Sequence, residues 1–303
     1  MAFIRETEGW YPAETAQFSV EEQRRVYDRM CRAFASERPD GVTCQDRTIA
    51  SNSHSIPVRT YKSLVKSKAK LIYFHGGGFV VGGLESHDDV CAEICAQTGF
   101  DVISVDYRLS PEHPFPADFE DAKTAFDEIN DSTELPVVLA GDSAGACLAA
   151  AVVHESRYTV KPPVGQVLIY PGLGGDSDHK SYVEHAKAPM LTTQDVHYYQ
   201  KVRSGGEAAS LKDPRCAPLA SDSFADLPPT YIVSAECDPL AGDSESYYMA
   251  LKAAGGDVVW VNEMGLVHGY LRARHRSEKA KSSFARIIAA IRLIGVSGQL
   301  PQV

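Results

Sequence analysis

Leu135-Pro136-Val137-Val138-Leu139-Ala140-Gly141-Asp142-Ser143-Ala144-Gly145-Ala146-Cys147-Leu148-Ala149-Ala150 is the stretch on which the reading of this chain turns. An apolar run leads into a serine that has glycine two residues before it and two after it, and small helix-compatible residues follow. This is the sequence form of a strand turning sharply into a helix with the serine oxygen at the apex, the nucleophile elbow. So tight a turn leaves no room for side chains at the flanking positions, and glycine fits there. A G-x-S-x-G string also occurs in ordinary glycine-serine loops, so the assignment rests on the strand-like and helix-like flanks.

On either side, apolar segments recur at Leu71 to His75, Val102 to Tyr107, Val137 to Ala140, Val164 to Tyr170, Thr230 to Ala235 and Val258 to Glu263. Helical patterns lie between them at Ser86 to Gln97, Pro116 to Ile129 and Ser244 to Ala254. The strand-like segments are apolar nearly throughout, as strands covered on both faces are, which predicts an α/β fold with a mostly parallel sheet flanked by helices. Two regions fall outside this rhythm. Residues 1–45 contain Ser19-Val20-Glu21-Glu22, a capping box ahead of a helix that puts Val26, Met30 and Phe34 on one face. Residues 174–227 are a long polar and aromatic insertion after the Val164 strand. Additions above the carboxyl ends of strands in α/β proteins commonly cover a site. Residues 1–45 and 174–227 are therefore expected to form a helical cap, with 46–173 and 228–303 as the α/β core; a surface embellishment is the alternative for the insertion.

At 303 residues the chain is long enough for one large domain with insertions. A net charge of -10 with no dense basic patch disfavours nucleic acid and anionic membrane surfaces as partners. No apolar run approaches the roughly 20 residues of a membrane span, and the mixed charges of the first ten residues do not resemble a secretory signal, so a cytoplasmic protein is expected. Seven cysteines without a C-x-x-C pair argue against a disulfide framework and a structural zinc site. Cys91, Cys95 and Cys147 read as packing residues. The ten histidines are scattered, and His179 with His185 lacks metal-ligand spacing, so neither metal nor cofactor is expected.

Nucleophilic attack by a serine needs a base, a carboxylate to orient that base, and backbone donors for the developing oxyanion. His75-Gly76-Gly77-Gly78-Phe79 follows a strand and frees its backbone N–H groups for close approach to a substrate oxygen. No G-K-[ST] follows, and the G-x-G-x-x-G fingerprint is absent, so a phosphate cradle is disfavoured. Downstream, the expected order is carboxylate and then histidine. Asp238 follows the Thr230 strand in Glu236-Cys237-Asp238-Pro239-Leu240, and His268 follows the last strand in Leu266-Val267-His268-Gly269. Glu236 and Asp243 remain rival carboxylates, and Asp243 also suits the start of the next helix.

With these residues in place, the chain resembles the bacterial, acetyl-esterase-like branch of the hormone-sensitive-lipase-like α/β-hydrolases. The likeness is carried by His75 to Phe79, the block Asp106-Tyr107-Arg108-Leu109-Ser110-Pro111-Glu112-His113-Pro114-Phe115-Pro116-Ala117, Gly141 to Gly145, Asp238-Pro239-Leu240 and His268-Gly269. The resemblance implies a serine carboxylesterase acting on short-chain acyl esters through an acyl-enzyme. Ser143 would be its nucleophile, His268 its base and Asp238 the orienting carboxylate. The oxyanion hole would come from Gly76, Gly77, Gly78 and Ala144, with Gly76 also a candidate for shaping the turn. It implies as well that Arg108 and Glu112 pair behind the site and that His75 anchors its loop. Ala241-Gly242-Asp243-Ser244 departs from the family pattern, in which a charged residue and an Asp-Glu pair are more usual. The expected partner is a small ester, with Tyr198 and Tyr199 placed to narrow its pocket. Amide or lactone cleavage on the same triad stays open, as does a non-catalytic receptor on the same scaffold, although a receptor need not keep the triad. The oligomeric state, monomer or homodimer, is not legible.

Overall fold

A computed structural model describes residues 1–12, 14–51 and 54–302. The chain begins with α1 (Ala2–Trp10) and α2 (Val20–Phe34), followed by the hairpin β1 (Thr43–Ala50) and β2 (Ser55–Lys62). It continues through β3 (Lys70–Phe74), α3 (Asp88–Thr98), β4 (Asp101–Val105), α4 (Ala117–Asp131), β5 (Val137–Asp142), α5 (Ala144–Ser156) and β6 (Gly165–Ile169). Then come the short α6 (Lys180–Glu184), α7 (Thr193–Arg203), β7 (Thr230–Cys237), α8 (Ala241–Ala253), β8 (Val258–Val267) and α9 (Glu278–Ser297). All eight strands form one sheet in the order β1-β2-β4-β3-β5-β6-β7-β8, parallel from β4 to β8 and antiparallel at β1/β2 and β2/β4.

The parallel strands divide their side chains between two cores. Leu71 and Tyr73 of β3 face one side with α3 and α9, while Ile72 and Phe74 face the other with α4 and α5. Burial on both faces explains their continuous apolar sequences. The antiparallel hairpin lacks that signal. In β1 only Ile49 is buried, and β2 carries Pro57 and Arg59 among its apolar residues, so neither strand stood out in the sequence. Because β1 begins at Thr43, the expected boundary at residue 45 falls inside a strand of the sheet.

Ser19 caps α2, its Oγ accepting the Glu22 N–H at 3.3 Å, and Val26, Met30 and Phe34 are buried on one face. This N-terminal segment meets α7 through Gln23 Nε2, which donates to the Tyr198 hydroxyl at 2.7 Å, and through the Tyr11 and Tyr199 hydroxyls, 3.1 Å apart. The two regions therefore meet through these contacts. Among the described residues, no helix is long and apolar enough to cross a membrane.

Candidate active site

β5 ends at Asp142 and α5 begins at Ala144, which leaves Ser143 alone at the junction with φ +55° and ψ -118°. Positive φ is costly for a residue with a Cβ, and such strain persists only where the surroundings over-determine it. The surroundings here are backbone. A Cβ on Gly141 would lie 2.6 Å from the Phe74 carbonyl oxygen, and one on Gly145 would collide with the Phe74 carbonyl outright. The two glycines let the elbow pack directly on the end of β3, while the Ser143 N–H donates to Ile169 O at 2.8 Å and ties the turn to β6.

His268 follows β8, which runs past Glu263 to Val267 through an irregularity in its pairing with β7. Its Nε2 lies 2.8 Å from Ser143 Oγ, and its Nδ1 lies 2.7 Å from Asp238 Oδ2. A carboxylate can only accept, so Nδ1 carries the proton and Nε2 is left to accept from the serine hydroxyl. Asp238 is fully buried at the end of β7, and its Oδ1 accepts the Leu240 N–H at 2.9 Å, which fixes the carboxylate in the turn that Pro239 begins. The rival carboxylates are engaged elsewhere. Glu236 accepts the Gly265 N–H at 2.6 Å. Asp243 accepts from Leu173 N, Gly175 N and the Tyr182 hydroxyl, and burial pushes its carboxyl up to about 6.

The glycine loop after β3 reaches the same place. Gly76, expected among the oxyanion donors, is corrected by the structure: its N–H donates to Asp142 Oδ1 at 3.0 Å and is not free for a substrate oxygen. The N–H groups of Gly77, Gly78 and Ala144 have no acceptor among the described residues, and Ala144 opens α5, where the helix dipole favours negative charge. Asp142 is the hub that sets the loop. It also accepts the Tyr73 hydroxyl at 2.8 Å and faces His87 Nε2 at 3.2 Å. Burial alone would raise its carboxyl, but His87, the Tyr73 hydroxyl and the more distant Arg272 hold it well below the usual carboxylate range. His75 is buried, stacked on Tyr107 with ring centres 4.3 Å apart, with Nδ1 2.9 Å from Gly76 O. Burial and the neighbouring His87 depress its pKa to about 3, so it stays neutral.

The block after β4 does not pair as expected. Arg108 binds the buried Asp121 of α4 at 2.9 Å, while Glu112 reaches across to Arg24 of α2 at 2.7 Å. Asp121 takes both the Arg108 N–H and its guanidinium, a closer claim than Glu112 can make. Ser143 and His268 open on a cavity of about 1240 Å³, counted out to solvent. Tyr11, Tyr27 and Met30 line it from the N-terminal segment, and Met190, Leu191 and Tyr199 from the insertion; Tyr198 is not part of its wall. Sequence reasoning missed Tyr170, whose ring lies 4.9 Å from that of His268, and two lining arginines, Arg203 and Arg272. Tyr170 ends a strand one residue beyond Ile169, a position that could have flagged it. The arginines carried no local signal.

Residues 71–272 match the model of a family described as alpha/beta hydrolase fold. Esterase LipI of Mycobacterium tuberculosis is 37% identical over 231 residues, 74% of this chain and 72% of that protein. An ethyl acetate hydrolase of Pseudomonas putida is 28% identical over 285 residues, 90% and 89% of the two chains. Among solved structures, the hyperthermophilic esterase from the archaeon Pyrobaculum calidifontis superimposes with a TM-score of 0.89 at 29% identity, covering 98% of this chain and 97% of its own.

Proposed function

Since the chain belongs to the alpha/beta hydrolase fold family, in its hormone-sensitive-lipase-like branch, and is a carboxylic ester hydrolase, we propose that Ser143, His268 and Asp238 are its catalytic triad. The observation that carries this reading is the unbroken relay of 2.8 Å from Ser143 Oγ to His268 Nε2 and 2.7 Å from His268 Nδ1 to Asp238. Ser143 Oγ attacks the ester carbonyl as its proton passes to Nε2. The tetrahedral oxyanion is held by the N–H groups of Gly77, Gly78 and Ala144. Collapse breaks the bond to the alcohol oxygen, which takes the proton from Nε2 and leaves an acyl-Ser143. Water, deprotonated by the same Nε2, then releases the acid.

Residues 1–45 and 174–227 act in this reading as the cap over the site, supported by the cavity residues that both contribute. Tyr199, whose ring stands where a Cβ on Gly78 would be, narrows the space over the oxyanion loop and suits short acyl chains. Seven free cysteines are consistent with the reducing cytoplasm.

Ser143→Ala is expected to lower kcat on a p-nitrophenyl ester by about 10⁴-fold or more, leaving what binding and the oxyanion donors supply. A fluorophosphonate should label Ser143 in the native enzyme and fail to label it after His268→Ala. Wild-type turnover by the alanine variant would remove the nucleophile assignment. A panel of p-nitrophenyl esters from acetyl to dodecanoyl tests the chain length, with kcat/KM expected to fall beyond the short members.

A further inference from the structure

Three buried arginines among the described residues face carboxylates, and Arg272, half-buried, does not. Arg59 binds Asp46, Glu85 and Asp88; Arg203 binds Asp118 at 2.6 Å; Arg274 binds Asp89 and Glu93. Arg272, in the 3-10 turn Tyr270–Ala273 just after His268, has no carboxylate oxygen within 4.0 Å among the described residues. Its Nη1 donates to Ser86 O at 3.1 Å and its Nη2 to the Tyr27 hydroxyl at 2.9 Å, both uncharged acceptors. A guanidinium has five N–H groups, so most of this one is unclaimed.

A cation on a cavity wall without a counter-ion offers its unclaimed donors to an anion that enters. The nearest acids do not quench it. Asp142 is occupied by Gly76 N, Tyr73 and His87, and Asp89 by Arg274 and the Ser36 N–H. Both act on Arg272 only at longer range, and its guanidinium stays protonated, as an arginine's does. The guanidinium also lines the cavity into which Ser143 and Gly77 open, next to the apolar side chains of Met30, Val90 and Leu271. A planar fork on the wall of the cavity that holds Ser143 matches a carboxylate that an ester carries on a short alkyl spacer.

We propose that Arg272 is a specificity-determining residue that binds a free carboxylate on the substrate, so that the preferred substrates are short esters carrying one carboxylate. This rests on Ser143 being the nucleophile of the same cavity. The carboxylate can enter on the acyl side, as in a half-ester of a dicarboxylic acid, or on the alcohol side, as in an acylated hydroxy acid. The recognition chemistry is the same, and the substrates tell the two apart.

The experiment measures kcat/KM by pH-stat for two matched pairs: monoethyl succinate against ethyl 4-methylpentanoate, and 4-acetoxybutanoate against 4-methylpentyl acetate. In each pair an isopropyl group replaces the carboxylate. One pair is expected to favour the anion by about tenfold or more in the native enzyme, the factor that a single charge-assisted contact supplies. Arg272→Met should abolish that ratio, and Arg272→Lys, which keeps the charge and loses the fork, should retain part of it. Anion-to-neutral ratios at or below one for both pairs in the native enzyme overturn the proposal without reference to any variant, as does a ratio that survives Arg272→Met. If the neutral esters turn over and fluorophosphonate labels Ser143 while no anion is preferred, the Arg272 assignment alone falls. If no ester turns over and Ser143 is not labelled, the nucleophile assignment falls and takes this one with it.

Discussion

Arg203, at the end of α7, and Arg272, in the turn after His268, both line the cavity around Ser143, and the protein neutralises them in different ways. Arg203 is sealed in: its Nε meets Asp118 at 2.6 Å, its Nη1 meets Cys216 O at 2.7 Å, and its guanidinium lies 3.6 Å above the Phe79 ring. Arg272 rests on a carbonyl and a phenol and keeps an open side. Phe79 follows the glycine loop after β3, so the paired arginine packs on that loop. The unpaired one is left with its open side on the cavity. Lining a cavity does not by itself make a charged residue a ligand group; Arg203 Nη2 also has no hydrogen-bond partner, and what separates the two cases is the carboxylate that Arg203 has and Arg272 lacks.

The largest effect is expected at the sealed arginine. Arg203→Met strands the Asp118 carboxylate, 1% exposed, with no cation beside it. Breaking a buried pair from one side costs about 3–5 kcal/mol, read as a lowered urea midpoint at constant slope. Replacing Asp118 by leucine in the same chain should recover much of the loss, because no orphan charge then remains. A cost below about 1 kcal/mol for the single variant would mean that Arg203 is no more structural than Arg272.

Among the buried acids the same contrast gives a pH effect. Asp142 faces His87 and is held low, whereas Asp243 has only neutral donors in Leu173 N, Gly175 N and Tyr182, and burial raises it from 3.8 to about 6. A raised acid favours the folded state while protonated. Its contribution is present in full below the unfolded value and is lost as pH rises through the folded one. Asp243→Asn should therefore flatten the stability profile: the wild-type minus variant difference should fall by on the order of 1–3 kcal/mol between pH 4 and 7.5. Urea unfolding across that range measures it, and a difference that grows with pH would show that the three donors outweigh burial.

What was legible in the sequence followed the parallel strands. Ser143, Asp238 and His268 each stand at the carboxyl end of an apolar run, so strand recognition and chain order pointed to them while leaving Glu236 and Asp243 as rivals to Asp238, and the structure brings these three side chains together. The β1/β2 hairpin escaped because an edge with one buried residue in β1 has no apolar run to read. Gly76 was grouped with its neighbours because sequence does not say where an amide points; Asp142, from the elbow itself, claims that N–H. Arg108 and Glu112 share a motif but not a partner. Arg272 was invisible for a different reason: its contacts, Ser86 and Tyr27, lie far away along the chain, and its distinguishing property is a missing contact.

The smallest predicted stability change is the one on which the comparison depends. Arg272→Met removes hydrogen bonds to Ser86 O and the Tyr27 hydroxyl. It strands no carboxylate, and Tyr27 lines a cavity that water can enter. The cost should therefore be about 1 kcal/mol, the net worth of an ordinary hydrogen bond, and well under that of Arg203→Met in the same urea titration. Long-range attraction to Asp142 works the other way, since removing the cation lets that carboxyl rise toward its ordinary value. If that attraction dominates, Arg272→Met will approach the Arg203→Met loss at neutral pH, and its gap to the wild type will narrow as the pH falls through the acid range, where Asp142 takes up its proton. The two arginines would then differ in reach and not in purpose, with Arg272 a structural counter-charge for the hub that sets the oxyanion loop.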